Sequence, residues 1–559
     1  MVNYNKYVKV NKRSIKLAIQ EGVRPMTEFF DPSRENLPYF WNSMSPGENF
    51  GNWHDKNWSF SHVPGRWLNA IFNAKDVLNV DVDNKVIENL KKWTYRSIEE
   101  ANIRFPAHIN LKTMKTEKIT DLHNLREVMH GLYALAAFNK EEKAKNLAKD
   151  IILAVNKYFD YDKCTLKEKF YNESTGAIAE SRVRDPKDKD KFPFPTTFGR
   201  YIGPLVKLYD ATGLQDALHQ ALLLKESCFK NILNSQGDYN PTIFGKHTHS
   251  TTSMISSLAQ LGDVTNDLNT LTRVKNFMEN GLKEIALDFG WCVESYYRRT
   301  LLGEINNTSD IMETCLVLGK HGFEGYYARA ERILRGHFLP SQLLDTEFIP
   351  EQDNPEEKRG LASRSKGSFG FPCPYGHEDF PGSEIAFNWD IVGGGVGGLC
   401  EAYRHINTKH NDLISINLLF DYDNKEISFK SPYGRKGLCK IKLKSNNLVR
   451  VRIPTNCKVD IEKVEGCTPF IIGEWVYLKK IKSEIEVLLP FNLQTYYMEY
   501  LFRDKLIIFE WKGEEVLRAT SSGKRLCYFK ELDSANELIG EADSITNAIG
   551  NVAQISGTS

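Results

Sequence analysis

The 559-residue chain holds ten cysteines but no CxxC or CxC pair. That excludes dithiol redox motifs and zinc ribbons. It has no apolar run of 18 residues, the least a bilayer-crossing helix needs. It also lacks a dominant charge. Lys plus Arg number 73 and Asp plus Glu 72, for a formal net charge of +1. Neither nucleic acid nor an anionic membrane is generally attracted to such a surface. The first residues run from Met1 through Val8 and Val10 without an apolar leader. The expectation is a reduced, cytoplasmic protein with free thiols.

What is present is a globular composition, 41% hydrophobic and 26% charged, with aromatics at 11%. That is enough for a large core. Near alternation at Val8, Val10, Ile15 and Leu17 predicts an edge strand or two in a 1–30 extension. Residues 33–70 are dense in Trp, Gly and Asn and read as a long ordered loop, which includes Trp67. From about residue 66 to 410, apolar spacings of three and four predict a run of short-linked helices. Gly213 closes one of them and Gly262 another. Such a run suggests a helical toroid with amphipathic outer helices. Past Asn407, short strands at regular spacing predict an all-β sandwich, with Leu493–Trp511 extending it. The fold class is therefore mainly α, a toroid or barrel over 31–410, then a β-sandwich over 411–535 and a tail over 536–559. Charged stretches beginning at Arg182 and covering 348–368 read as solvated loops.

Chemistry concentrates around Gly303-Glu304 and Glu313-Thr314-Cys315. Ser309 or Asp310 could cap a helix there, placing Glu313 in its first turn near unpaired N–H groups. Glu304, in a loop, would approach from another side. Two carboxylates in different settings are what acid/base cleavage of a glycosidic bond needs. A helix start and a surface residue would explain the same pair. His123, Glu127 and His130 share one helix face, with Asn124 beside them at the entry to a cup. A core histidine and a rim imidazole–carboxylate pair both fit that spacing. His247 and His249 form an HxH that reads as sugar- or metal-binding, or as two plain loop histidines. His377, Glu384, Trp389 and Asp390 precede the glycine run Gly393–Gly398. That run lacks the βαβ setting of a dinucleotide loop. It reads as a helix entry where backbone or substrate comes close. Glu384 and Asp390 are further acid, base or sugar-binding candidates.

These motifs resemble glycoside hydrolase family 127, the β-L-arabinofuranosidase-like group, over nearly the whole chain. The resemblance implies an (α/α)6 barrel of six hairpins followed by β-sandwich modules. Gly303-Glu304 is similar to the family's acid/base Gly-Glu, and Glu313-Thr314-Cys315 to its zinc-binding Glu-Thr-Cys. His123 and His249, and less closely His247, resemble family histidines. Two departures stand out. Gly393–Gly398 occupies the place of the family's paired cysteines, and Arg200 replaces a histidine. The expectation is thus a metal-free glycosidase. Glu304 is the acid, and Glu313, Glu384 or Asp390 activates water with inversion. His123, Asn124, Arg200, His247, His249, Trp67, Trp389 and His377 line the substrate site. No cofactor is expected; zinc, if bound, would take Glu313 and Cys315. The guanidinium of Arg200 hints at an acidic sugar. A lyase or epimerase on an acidic sugar and a non-catalytic carbohydrate-binding protein are the alternatives. A homodimer is an open option.

Overall fold

Six helices bury nearly every side they have. They are α1 (Val63–Leu78), α2 (Leu125–Phe138), α3 (Ile202–Thr212), α4 (Thr248–Thr265), α5 (Ile305–Lys320) and α6 (Trp389–Arg404). Each packs on the next, and α6 returns to α1. The computed structural model describes residues 6–45, 50–181, 191–297, 301–377, 385–444, 448–479, 486–520 and 526–532. Glu384, the charged stretch 182–190 and the tail 536–559 lie outside the described residues.

A second helix backs each of the six. In order these are Asn84–Glu99, Glu142–Tyr158, Gln215–Asn231, Leu268–Glu279, Tyr326–Ile333 and, behind α6, Ile15–Val23. The backing helices are amphipathic. Asn84–Glu99 buries Ile87, Leu90, Thr94 and Ile98 at spacings of three and four. The central six are not: in α4 every residue from Thr248 to Ala259 is buried. Their inward faces carry Ser, Thr, Asn, Gly and charged residues, which blurs the helical period.

Four readings change. Ile15 and Leu17 lie in a helix, because Ser14 caps it at the Leu17 N–H and Ile15, Ala18, Ile19 and Gly22 are its buried stripe. Residues 33–70 are not one loop. They form short strands, and then α1 begins with Pro64 in its first turn. The α4 helix runs through Gly262 and ends at Asn266, in the left-handed region. The α5 helix starts at Ile305, so Asn306–Asp310 is helix and Glu313 sits beyond the first turn.

Glycine sets how closely the central helices approach. A Cβ on Gly65 of α1 would lie 2.1 Å from the Glu127 carbonyl oxygen of α2. Backbone cannot step aside as a side chain can. Gly65→Ala should therefore cost at least the ~3 kcal/mol upper range of ordinary overpacking. Urea denaturation of the variant checks this.

The C-terminal region is β-rich. One five-stranded sheet runs in the order Asn407–His410, Leu413–Ile416, Leu448–Arg452, Trp475–Lys479, Thr468–Ile472. A second runs Tyr422–Asp423, Ile427–Lys430, Leu438–Leu443, Glu486–Leu493, Cys457–Val459. Alternate residues of both, among them Ile416, Phe429, Ile441, Val451 and Leu489, share one core. The strands Thr495–Phe502, Lys505–Lys512 and Glu515–Ala519 form a third sheet. Its apolar face joins the helical core: Phe509 packs on Phe289, and Phe502 meets Trp291 edge-on. It thereby extends the helical core and not the two-sheet core.

A buried ion network joins the two regions. Arg335 donates to Glu331 at 2.7 Å, and Arg452 contacts Glu331 and donates to Glu514 at 3.1 Å; none of these four side chains is exposed. Arg335 also lies between the Phe420 and Tyr433 rings.

Candidate functional site

At one end of the six-helix circuit, helix starts and the loops before them bring polar side chains together. Glu304 is the last residue before α5, and its carboxylate accepts from Asn306 Nδ2 at 2.8 Å. Its position is fixed from behind. The Gly303 N–H and Trp291 Nε1 both donate to the Pro372 carbonyl, and a Cβ on Gly303 would strike Trp291. His249, in the first turn of α4, places Nδ1 3.3 Å from Glu304 Oε1 and Nε2 3.4 Å from Asp310 Oδ2. His247 Nε2 lies 4.0 Å from Glu304 Oε2.

Asp390 opens α6. His62, just before α1, puts Nε2 3.3 Å from Asp390 Oδ2 and Nδ1 2.9 Å from Asn124 Oδ1. Facing an acceptor at each nitrogen, His62 and Asp390 must hold a proton on the line between them. Beneath them Glu127 is fully enclosed by three guanidinium groups. Arg66 Nε donates at 2.8 Å, Arg126 at 2.9 Å, and Arg200 joins them. Arg200 also contacts the His123 ring, whose Nδ1 meets the Thr196 carbonyl at 3.0 Å.

These settings divide the acids. Burial first, then the charges of Asp390 and Glu294, push Glu304 up to about 8. Burial also raises Asp310, to about 7, against the opposing pull of Arg126. Burial acts on Asp390 in the same sense, but the His62 hydrogen bond and the charges of His62 and Arg66 win and hold it below the ordinary carboxylate range. Burial likewise opposes ionisation of Glu127, and its three arginines hold it well below. The His249 pKa falls well below the usual imidazole value through burial and the nearby arginines. Burial thus favours the protonated form of Glu304, whereas the partners of Asp390 favour its ionised form.

Several buried polar atoms here have no hydrogen-bond partner: Asp390 Oδ1, Arg66 Nη1, Asn306 Oδ1 and His249 Nε2. Two of them still face a carboxylate oxygen, Arg66 Nη1 at 3.6 Å from Asp390 and His249 Nε2 at 3.4 Å from Asp310, and buried polar atoms without a hydrogen bond call for a partner such as water. Trp58, half-buried, presents an edge to His62 and His123 with centroids 4.7 and 5.0 Å away. Farther along the axis the space closes to a cavity of about 30 Å³ lined by all six helices, room for about one water.

The other sequence candidates fall in different places. Glu313 lies down the axis, where its Oε2 accepts from Ser256 at 3.1 Å; it lines the narrow cavity and also a 390 Å³ cavity with Lys207, Glu401 and Arg404. Trp67 and Trp389 are sealed in the core, with Trp67 Nε1 on the Trp389 carbonyl and Trp389 Nε1 on Asn52. Asn124 is buried in a network with Asn57, Ser61 and His62. His377 is buried, packs on Phe387 and Tyr528, and is lowered by burial to about 4. The guanidinium of Arg200 is taken up by Glu127 and His123, so it offers no free fork to a substrate carboxylate.

The thiolate zinc set of the resembled family does not fit these residues. Cys315 is enclosed and raised to about 12, by burial first, among Arg329, Glu279, Asp288 and Arg332. It stands two residues from Glu313 on α5, so the two side chains leave the helix on opposite sides. In the glycine run that stands where the paired cysteines would be, Gly397 has room for a side chain, but two other positions cannot take one unless a neighbour moves. A Cβ would lie 1.9 Å from Asn306 Oδ1 at Gly394 and 2.0 Å from Ser309 Oγ at Gly398. No disulfide forms among the described residues.

No protein-family profile matches the chain, and no curated protein does. Solved structures do. A GH127 β-L-arabinofuranosidase from Geobacillus stearothermophilus T6 superposes with a TM-score of 0.51 at 12% identity, over 91% of this chain and 86% of that one. A second GH127 β-arabinofuranosidase gives 0.55 at 12% identity, over 92% and 84%. The likeness is one of fold. No helix among the described residues is long and apolar enough to cross a membrane.

Sequence reasoning missed His62, Arg66, Trp58 and the inward role of Asp310. His62 and Arg66 are spaced i, i+4, a same-face signal, but Pro64 and Gly65 between them had the look of a loop.

Proposed function

We propose that this chain is a glycoside hydrolase built on an (α/α)6 toroid, acting on a glycoside or oligosaccharide. Glu304 is the general acid that protonates the leaving oxygen. Asp390, steadied by His62 and Arg66, is the ionised carboxylate that activates water. The observation that carries this reading is the pair of buried carboxylates at the starts of α5 and α6, Glu304 held by Asn306 at 2.8 Å and Asp390 set against His62 at 3.3 Å; burial favours the acid form of the first and its cationic partners the ionised form of the second. Trp58 would offer a face or edge to the sugar, and the unpaired Asp390 Oδ1 and Arg66 Nη1 would take up its hydroxyls or the attacking water. Glu127 positions the arginines from beneath and does not reach the sugar. The proposed setting is a reducing cytoplasm, which suits a chain with ten cysteines and no disulfide among its described residues.

The test is a panel of neutral and uronic aryl glycosides and oligosaccharides, with product anomers followed by proton NMR. Inverted product that disappears in Asp390→Asn is the expected result. Retention of configuration, or unchanged turnover in that variant, removes Asp390 as the base. Trp58→Ala should raise KM about tenfold with a smaller change in kcat, as expected for lost uniform binding.

A further inference from the structure

We infer that His247, His249 and Glu304 form a site for a divalent transition cation, and that an ion held there switches the hydrolase off. The second half of this inference rests on the function proposed above. The first half rests on geometry alone.

One ligand atom from each of the three residues lies within 4.8 Å of the others. Two ligands of a tetrahedral zinc, each about 2.0–2.2 Å from the ion, lie about 3.3–3.5 Å apart. The His249 Nδ1 to Glu304 Oε1 distance is already 3.3 Å, and His247 Nε2 to Glu304 Oε2 is 4.0 Å. His249 Nε2 stands 3.4 Å from Asp310 Oδ2, close but without a hydrogen bond. His247 Nδ1 meets Ser250 Oγ at 2.8 Å, an outer oxygen of the kind that directs a ring lone pair toward a metal. Asn306 orients the Glu304 carboxylate in the same way. His249 and Glu304 are buried and His247 is partly open, so the site has an entry and keeps positions free for water. Two imidazoles and one carboxylate suit Zn²⁺, Co²⁺ or Ni²⁺. They differ from the thiolate set of the resembled family. An ion bound by Glu304 takes the carboxylate that the acid step needs free.

The experiment is calorimetric titration of ZnCl₂ into the full chain after chelator treatment and dialysis, with the Co²⁺ absorption spectrum as a second readout. The expected result is one equivalent bound and a cobalt spectrum without thiolate charge transfer. Binding should weaken roughly 100-fold in His247→Ala, by analogy with losses on disturbing metal ligation, and stay unchanged in Cys315→Ser. His247 is partly exposed, so its variant is expected to fold even if His249→Ala does not. No heat with zinc, equal binding in His247→Ala, or binding lost in Cys315→Ser would each overturn the site. Calorimetry needs no turnover, so a substrate panel without activity leaves this result readable. Conversely, hydrolysis that zinc leaves untouched at full occupancy overturns the switch while the glycosidase reading stands.

Discussion

Glu304→Gln should lower hydrolysis by about 10²–10⁴-fold, the range that positioned proton transfer contributes, and should do so without unfolding the protein. The amide keeps the Asn306 contact region filled but carries no acidic proton. In the wild type the acid is present only below its raised pKa of about 8, so kcat/KM should fall as pH rises through that value. The variant's residual rate should lose that limb. The same substitution should stabilise the fold, in a defined pH window. Between the ordinary carboxylate value of 4.5 and about 8, the folded state keeps a proton that the unfolded chain has released. Stability of the wild type therefore declines as pH rises across that window. Glu304→Gln removes its share of the decline, so it should melt above the wild type at pH 8 and level with it at pH 4. Melting curves at the two pH values, beside a pH–rate profile, separate a catalytic acid from a residue that merely props up the loop. A variant with wild-type turnover would end the acid assignment.

The second large effect is on stability. Arg452→Met should cost about 3–5 kcal/mol, the usual loss when one partner of a buried ion pair is removed. Arg452 is unexposed between Glu331 and Glu514, and it also donates to the Asn417 carbonyl at 2.8 Å. Removing it leaves Glu514 without its ion-pair partner and Glu331 with Arg335 alone, between the helical and β-rich regions. Adding Glu514→Gln should restore part of the loss, and a double-mutant cycle in urea measures the coupling. If Arg452→Met changes stability by less than about 1 kcal/mol, the level of a surface pair, the network does not bind the two regions.

Much of the fold could be read from residue patterns. The backing helices announce themselves because water on one side enforces a stripe, as in Asn84–Glu99. The β-region announces itself because two sheets share one core and so alternate. The central helices were harder. With protein on every side, α4 has no face to betray its period, and α6 carries glycines at Gly393–Gly395 where Arg66, Asn306 and Phe369 come close. The candidate site was legible where a short motif carried it, as with Glu304, Asp390 and His249, which the fold gathers at one end of the circuit. It was not legible where chemistry depends on partners far along the chain. Nothing local in Glu127 says that arginines from α1, from α2 and from the turn before α3 will converge on it. Nothing local in Trp389 distinguishes a core indole from a sugar platform.

The circuit of six helices also has a consequence for how the protein comes into being. His62 and Asp390 touch but lie 328 residues apart in the chain. The helix Ile15–Val23 is synthesised well before α6 and must wait for it before its buried stripe is covered. A nascent chain released from the ribosome short of residue 389 would carry Glu304 but no Asp390. Contacts over such separations make closure slow. Translation would then yield an open precursor until α6 is inserted, and termination before that point would release an uncovered apolar face to chaperones.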